Sequence, residues 1–286
     1  MKPKLLHKII ACPYCKSGLK VKGEIATCVK CKRDFMHLNG VLCLLTDEDK
    51  NKYTEFLSSP SGSYMVKEFK IASRLFRTLR YIFGADFVPI KRLKKFTKSF
   101  SSREIILDVG GGNQGLGENI INLDIFPFNK VKIIGVGENL PCLDESFDGC
   151  ICDSVIEHVQ SPKAVVGEIY RVLKKNGRAF FVIPFIITYH AYPNDYQRYT
   201  KEGLKILFDK FSDVQIGVYR GPSVALVNFF SDYISMFSFT KNTKVYLIIK
   251  GIVTLLTFPI KFLDLLLIHN KNTHRVAHCL YAICRK

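Results

Sequence analysis

Between Ile105 and Val159 the sequence reads as strand, glycine turn, strand, acidic tip and strand again, and this order restricts the fold more than any other stretch. The run Ile105-Ile106-Leu107-Asp108-Val109 is short, apolar and rich in β-branched residues, and Gly110-Gly111-Gly112 stops it abruptly. A buried parallel strand ends this way where it meets a ligand. Glycines there let the backbone approach a bound molecule closely. The next strand-like piece, Ile120 to Asp124, finishes on a carboxylate placed to accept hydrogen bonds from ribose hydroxyls. An open α/β sheet carrying a nucleoside site is the expectation.

Gly110-x-Gly112-x-x-Gly115 also satisfies the dinucleotide fingerprint. Asp108 argues against a pyrophosphate, because its carboxylate would face phosphate charge, whereas a cofactor carrying an ammonium and a sulfonium would be attracted to it. Further on stand Glu138-Asn139-Leu140-Pro141, Ser146-Phe147-Asp148 and Val155-Ile156-Glu157-His158-Val159. In this order the segments resemble the class I S-adenosylmethionine-dependent methyltransferases of type 11. The resemblance implies a Rossmann-like seven-stranded α/β sheet, with Asp108, Gly110 and Gly112 at the methionine end of the cofactor and Asp124 on its ribose. It puts Asn139 and Leu140 beside the adenine. Two departures stand out: Val136 occupies a position where the family usually has an acid, and eleven residues separate Gly112 from Asp124. That is too short for a full crossover helix, so the first crossover is expected to be abbreviated.

Cys12-Pro13-Tyr14-Cys15 and Cys28-Val29-Lys30-Cys31 are two Cys-x-x-Cys knuckles twelve residues apart. Each can fold its thiolates onto one tetrahedral ion, with Gly18 to Thr27 of a length for a hairpin between them. One such pair alone would also fit a redox site. With Phe35-x-x-x-x-Gly40-Val41-Leu42 behind them, the four cysteines resemble the short zinc ribbons found fused to, or partnered with, methyltransferases. A structural Zn2+ on Cys12, Cys15, Cys28 and Cys31 is the expectation, since a unit of about 45 residues has little core of its own.

The expected organisation of the 286 residues is a zinc ribbon over 1–45, a linker and basic amphipathic helices over 46–103, and a methyltransferase domain over 104–286. Pro60-Ser61-Gly62-Ser63 breaks any element, and Met65 to Phe83 restores helical spacing. The net charge of +17 implies an anionic partner: nucleic acid, an acidic lipid surface or a phosphorylated substrate. Arg92, Lys94, Lys95, Lys98 and Arg103 form a basic run that is either a solvated face or a phosphate-contacting surface. Ten cysteines, four in ligand spacing, suit a reducing cytoplasm, and Met1 to Ile10 lacks a secretory pattern.

The fourth strand is expected at Phe147 to Cys152, a helix from Ser161-Pro162 to Gly177, and the fifth strand at Arg178 to Ile183. Asp153, Ser154 and His158 follow the carboxyl end of the fourth strand, where such sheets bind ligands. Directly after the fifth strand, His190 to Thr200 concentrates a His, an Asp, an Arg and several tyrosines. A similar His-x-x-Pro-x-Asp-x-x-Arg-x-Thr segment occurs in a subgroup of bacterial and archaeal class I methyltransferases. The segment is either a loop tied down by an Asp195–Arg198 pair or a catalytic loop. In the second case His190 is the candidate general base, with Asp195 assisting and His158 beside the cofactor.

Val214 to Val218 and Val276 to Cys284 are the expected sixth and seventh strands, which form a hairpin in the methyltransferase fold. A helical insertion at about 222–272 separates them, with helix candidates at Val224 to Phe239 and Val245 to Ile268. In the second, Lys250, Thr254, Thr257, Lys261 and Asp264 fall within roughly 80° of arc at ~100° per residue, the rest being mostly apolar. Its longest uncharged run, ten residues, is short of the roughly 18 that cross a bilayer simply. Such a helix is buried in a core or seated in a bilayer interface; because the rest of the domain already has its own core, the second is expected, and the positive charge then has an anionic lipid surface to meet. The expected function is methyl transfer to a small-molecule or lipid-linked substrate near an anionic membrane surface, peripheral or monotopic on its cytoplasmic face. RNA methylation and a catalytically degenerate, cofactor-binding fold are the rivals. Against RNA, no Asn/Asp-Pro-Pro-aromatic motif follows the fourth strand, where Cys152-Asp153-Ser154-Val155 stands.

Overall fold

The computed structural model describes residues 6–54, 91–191, 194–239 and 243–286. The expected helix Met65 to Phe83, with Lys67, Lys70, Arg74 and Arg77, and most of the expected linker lie outside the described residues. The strands form one eleven-stranded sheet in the order β1-β2-β3-β4-β7-β6-β5-β8-β9-β11-β10. At its centre, β5 (Ile106–Val109) pairs in parallel with β6 (Ile120–Asp124) and with β8 (Phe147–Asp153). All four residues of β5 are buried, because helices or ribbon cover both faces of a central parallel strand. β9 (Leu173–Pro184) runs parallel to β8, and β11 (Cys279–Arg285) lies antiparallel between β9 and β10 (Asp213–Arg220). The carboxyl ends of β5, β8, β9 and β10 therefore lie on one edge of the sheet.

The expected sixth-and-seventh-strand hairpin is β10 with β11, the latter starting three residues later than Val276 because a 3-10 turn, Thr273–Arg275, precedes it. The helix after β8, α3 (Pro162–Val172), starts with Pro at its first turn and buries Val165, Val166, Ile169 and Val172 on one stripe. It ends at Val172 rather than Gly177, since the fully buried Leu173 already pairs with Phe147. α2 (Lys91–Lys98) buries Leu93 and Phe96 beneath the sheet, against Ile106, Ile151 and Phe180, and exposes Lys94, Lys95 and Lys98.

The ribbon extends this sheet. The hairpin β1 (Leu19–Lys22) and β2 (Ile25–Cys28) turns at Gly23, whose φ of 59° is left-handed. β3 (Asp34–Leu38) follows, and β4 (Val41–Cys43) pairs in parallel with β7 (Ile133–Ile134). Ile10, Phe35 and Leu42 join one apolar core with Ile133 and Leu140, so ribbon and sheet are packed together and the β7 edge is covered. The next stretch opens with α1 (Asp47–Lys52), whose capping box joins Thr46 and Asp49.

Between β10 and β11, α5 (Pro222–Met236) and α6 (Thr243–Thr257) form the insertion, with α4 (Lys201–Leu207) ahead of β10. The expected second helix breaks at Pro259, which removes a backbone donor, into a 3-10 segment Phe258–Leu263 and a short α7, Asp264–Leu267. The polar arc of this helix turns inward. Lys250 pairs with Asp232 at 2.5 Å, Thr254 donates to Ser231 at 3.0 Å, and Asp264 caps α5 through the amides of Ser223 and Val224. The apolar arc faces out: Ile252, Leu256, Leu265 and Leu266 are 54 to 74% exposed.

Candidate active site

A cavity of about 200 Å³ lies at the carboxyl ends of β5, β6 and β8, walled by Gly110, Gly112, Asp124, Phe126, Phe128, Glu138, Ser154, His158 and Tyr196 among others. Register places its acids. Asp108 pairs with Asn122 across β5 and β6, and Asp124 lies two residues beyond Asn122, so the three side chains share one face. Between β5 and β6 the chain runs as a loop with no helix, the abbreviated crossover expected from its length. Side chains of β6 hold that loop: Asn122 Nδ2 donates to Gly112 O at 2.8 Å, and Gly112 N donates to Asp124 Oδ2 at 2.9 Å. Gly110, at φ 71°, sits so close to Val155 that a Cβ would meet Val155 Cγ2 at 2.3 Å.

Asp108 is buried beneath this loop rather than on the cavity wall. A Cβ on Gly111 would meet its Oδ2 at 2.3 Å. Among the described residues that oxygen has no hydrogen-bond partner, and burial, then the charges of Asp153 and Asp124, push the carboxyl up to about 8. Asp124 is pushed up to about 6 by burial, against the amides of Phe126 and Gly112 that donate to it. An isolated buried carboxyl of this kind is relieved by a cation or by donors brought with a ligand. The residues therefore fit a cofactor with a cationic amino acid end near Asp108 and a ribose near Asp124.

The positions expected beside an adenine divide. Leu140 is fully buried, and Asn139 points away from the cavity: its Oδ1 accepts from Lys16 Nζ and its Nδ2 donates to Pro13 O at 3.1 Å. The neighbouring Glu138 faces the cavity instead, near Lys52 and Tyr53. Val136 is buried among Leu45, Val131 and Ile134. Sequence reasoning passed over Glu138 and the aromatic walls; the Phe126-Pro127-Phe128 triplet right after the acidic strand tip is the signal that marks them.

Asp153 ends β8 and accepts from Ser154 Oγ at 2.9 Å, while Ser154, at φ 58°, reaches the wall. The loop after β9 folds back on this end. Asp195 grips Arg198 with both oxygens and also accepts from the His190 amide at 2.9 Å, and the Arg198 bonds hold it near 2. A carboxylate so committed orients the loop and is a weak proton acceptor. His190 and His158 meet edge to face, ring centroids 5.1 Å apart, with Glu157 behind them.

In the ribbon, the sulfurs of Cys12, Cys15, Cys28 and Cys31 all lie within 4.8 Å of one another, Cys12 to Cys31 at 3.6 Å and Cys15 to Cys28 at 3.5 Å. A tetrahedron with ~2.3 Å metal–sulfur bonds has edges of roughly 3.8 Å, so the four thiols fit one such ion. The residue after each knuckle, Lys16 and Lys32, is left-handed and returns its amide to the first cysteine's carbonyl, a turn made twice.

Residues 117–181 match the family of methyltransferase domains. Over that stretch the chain is similar to a methyltransferase domain. The match begins at Gly117, past Gly110 to Gly112, and ends inside β9, so it spans the acidic tip Asp124, β8 and α3. Two uncharacterized proteins of Methanocaldococcus jannaschii are similar over parts of the chain: one is 44% identical over 46 residues, 16% of this chain and 22% of the relative, the other 32% over 113 residues, 35% and 50%. The chain thus spans half or less of these relatives' length. Among solved structures, an S-adenosylmethionine-dependent methyltransferase from Archaeoglobus fulgidus is 16% identical, with a TM-score of 0.44 over 74% of this chain and 99% of that one. Phosphoethanolamine N-methyltransferase 2 of Haemonchus contortus, in complex with S-adenosyl-L-methionine, is 12% identical, with a TM-score of 0.47 over 80% and 61%.

Proposed function

We propose that this protein transfers a methyl group from S-adenosylmethionine to a small or lipid-linked acceptor at an anionic membrane surface, on the cytoplasmic face. When bound, that cofactor supplies the electrophilic methyl group. Asp108 holds a carboxylate toward the cationic end, Gly110 and Gly112 keep the backbone clear for close approach, and Asp124 accepts from ribose hydroxyls. Phe126 and Phe128, 5.4 Å apart, offer apolar ring surface to a base, with Glu138 as a polar partner. The chain aligns the reactants, which is most of what an in-line transfer needs. His190, on the loop beside the cavity, is the candidate to take the acceptor's proton. In the ribbon the four thiolates would hold zinc and leave no open coordination position, a structural part.

One observation carries the membrane reading. The α5–α6 insertion leaves the carboxyl end of β10, the same sheet edge as the cavity, and wears its polar arc inside and its apolar arc outside. Thr243–Leu267 is long and apolar enough to cross a membrane by length and composition, with only 6% of its most apolar window buried. Exposed to water, each such Leu or Phe forgoes ~1.5–3 kcal/mol of burial, which a bilayer interface returns. Thr188, in the loop after β9, lies near enough to the α5 side chain of Asp232 to help hold its carboxyl below the ordinary range, so the insertion comes close to the loop that carries His190.

The test is incubation with methyl-labelled S-adenosylmethionine and, in parallel, total lipid extract and total RNA. Label in the organic-soluble fraction supports this reading. Label in RNA alone replaces it with the nucleic-acid alternative, and no label in either, with cofactor bound, points to a degenerate fold.

A further inference from the structure

Glu157, in the 3-10 turn after β8, is fully buried, and neither of its carboxylate oxygens has a hydrogen-bond partner among the described residues. Its Oε1 lies 3.7 Å from His158 Nε2 and 3.7 Å from His190 Nε2, too far for a hydrogen bond to either. A buried carboxylate left in this state costs several kcal/mol. Something must compensate it.

The imidazoles are set as ligands. His158 Nδ1 is 2.5 Å from Asn194 O, an acceptor only, so Nδ1 carries the proton and Nε2 the lone pair. His190 Nδ1 lies 3.3 Å from Thr188 O and 3.4 Å from Asp195 Oδ2, again acceptors. Arg198 Nη2 is also 3.3 Å away and carries two protons, one of which goes to Asp195 Oδ2 at 2.6 Å; an ion on Nε2 selects the tautomer in which His190 Nδ1 holds its proton toward Thr188 O and Asp195 Oδ2. The Nε2 atoms of both rings converge on one carboxylate, with all three donor atoms within 4.8 Å of one another. With metal–ligand bonds of ~2.1 Å, a tetrahedral edge is roughly 3.4 Å, a few tenths from the spacing observed. Asp195 behind His190 and Asn194 O behind His158 are the outer partners that fix tautomer and ring orientation in metal sites.

We propose that Glu157, His158 and His190 form a second metal site, a two-histidine, one-carboxylate face for a divalent transition ion such as Mn2+ or Fe2+. The donor set distinguishes it from the thiolate ribbon. His158 belongs both to this triad and to the cavity wall, so the ion's remaining positions lie beside the space where an acceptor's oxygen would sit. That role rests on the methyl-transfer reading; the ion's binding does not. It also recasts His190 from a proton acceptor to a ligand.

Manganese titration of the zinc-loaded protein, followed by the loss of the free-ion electron paramagnetic resonance signal, tests the site. Thiolate-bound zinc is not displaced by manganese, which binds more weakly in the divalent series. Wild type is expected to take up one Mn2+, Glu157→Gln and His190→Ala to lose at least tenfold in affinity, and Asp195→Asn about tenfold through the outer partner. Melting temperature and S-adenosylhomocysteine calorimetry on the same samples check that each variant is folded. No uptake by folded wild type, or equal uptake by Glu157→Gln, overturns the proposal. Manganese uptake without cofactor binding would leave the metal site standing and remove the methyl-transfer reading.

Discussion

Lys16 and Asn139, 123 positions apart, share a hydrogen bond: the ammonium that follows the first cysteine knuckle donates to the side-chain oxygen of the residue beside Glu138 in the cavity wall. Lys16 also donates to Leu140 O at 2.9 Å and to Glu168 at 3.1 Å. The turn that follows the first cysteine knuckle is thereby fastened to the segment that shapes one end of the cavity.

Lys16→Met is therefore expected to lose ~1–2 kcal/mol of stability, the lower part of the range for hydrogen bonds to charged groups because the side chain is partly exposed. With the four thiols loaded with the proposed zinc, stripping it with a strong chelator should both lower the melting temperature and weaken S-adenosylhomocysteine binding. Urea midpoints and calorimetry check the two effects. Unchanged cofactor affinity in the metal-stripped, still folded protein would show that the fastening does not reach the cavity.

The buried acids predict a pH dependence. Asp108 and Asp124 titrate near 8 and 6 in the folded chain, above the ordinary 3.8, so the cofactor-free protein draws stability from their protonated forms. That contribution is complete below about pH 4 and is lost as pH rises through about 6 and then 8. A cationic ligand needs Asp108 ionised, so S-adenosylhomocysteine affinity should rise between pH 6 and pH 8.5 with release of a proton. Asp108→Asn should flatten both the melting-temperature profile and the affinity profile over that interval.

Gly110 has no room for a side chain. A Cβ there would meet Val155 Cγ2 at 2.3 Å on a left-handed backbone, so Gly110→Ala should cost ~1–3 kcal/mol. Val155→Ala removes the clashing methyl but not the backbone strain, and the double variant should recover part of the loss. Full additivity in a double-mutant cycle would contradict the contact.

Leu256 and Leu266 are each 74% exposed. Leu256→Glu with Leu266→Glu should leave stability within about 0.5 kcal/mol per site, as for other surface changes, yet abolish sedimentation with anionic vesicles. Unfolding of the double variant would instead mean that this face is covered by protein.

The central strands, the glycine turn and Asp108 and Asp124 were readable because each is a local pattern: an apolar run, a stop, an acid at a tip. The two knuckles were readable for the same reason. Asn139 was not, since its direction is set by Lys16 and Pro13, far away in the chain. Glu138, one residue earlier, took the cavity position in its place. The addition of β4 to the β7 edge depends on a pairing of Leu42 with Ile133 that no spacing announces. Glu157 stood in the sequence only as part of the Val155 to Val159 segment, with no role of its own; only the fold brings His190 to it. For the insertion, the wheel located the polar arc, but which arc faces the domain became visible only in the pairing of Lys250 with Asp232 and the capping by Asp264.

The most direct measurement is calorimetric titration of S-adenosylhomocysteine into wild type and Asp124→Asn, with melting temperatures taken alongside. Wild type should bind one equivalent, and the variant should melt similarly but bind at least tenfold more weakly, about 1.4 kcal/mol. A folded wild type that takes up no ligand, or a variant that binds it equally well, would contradict a nucleoside cofactor held between Asp108 and Asp124.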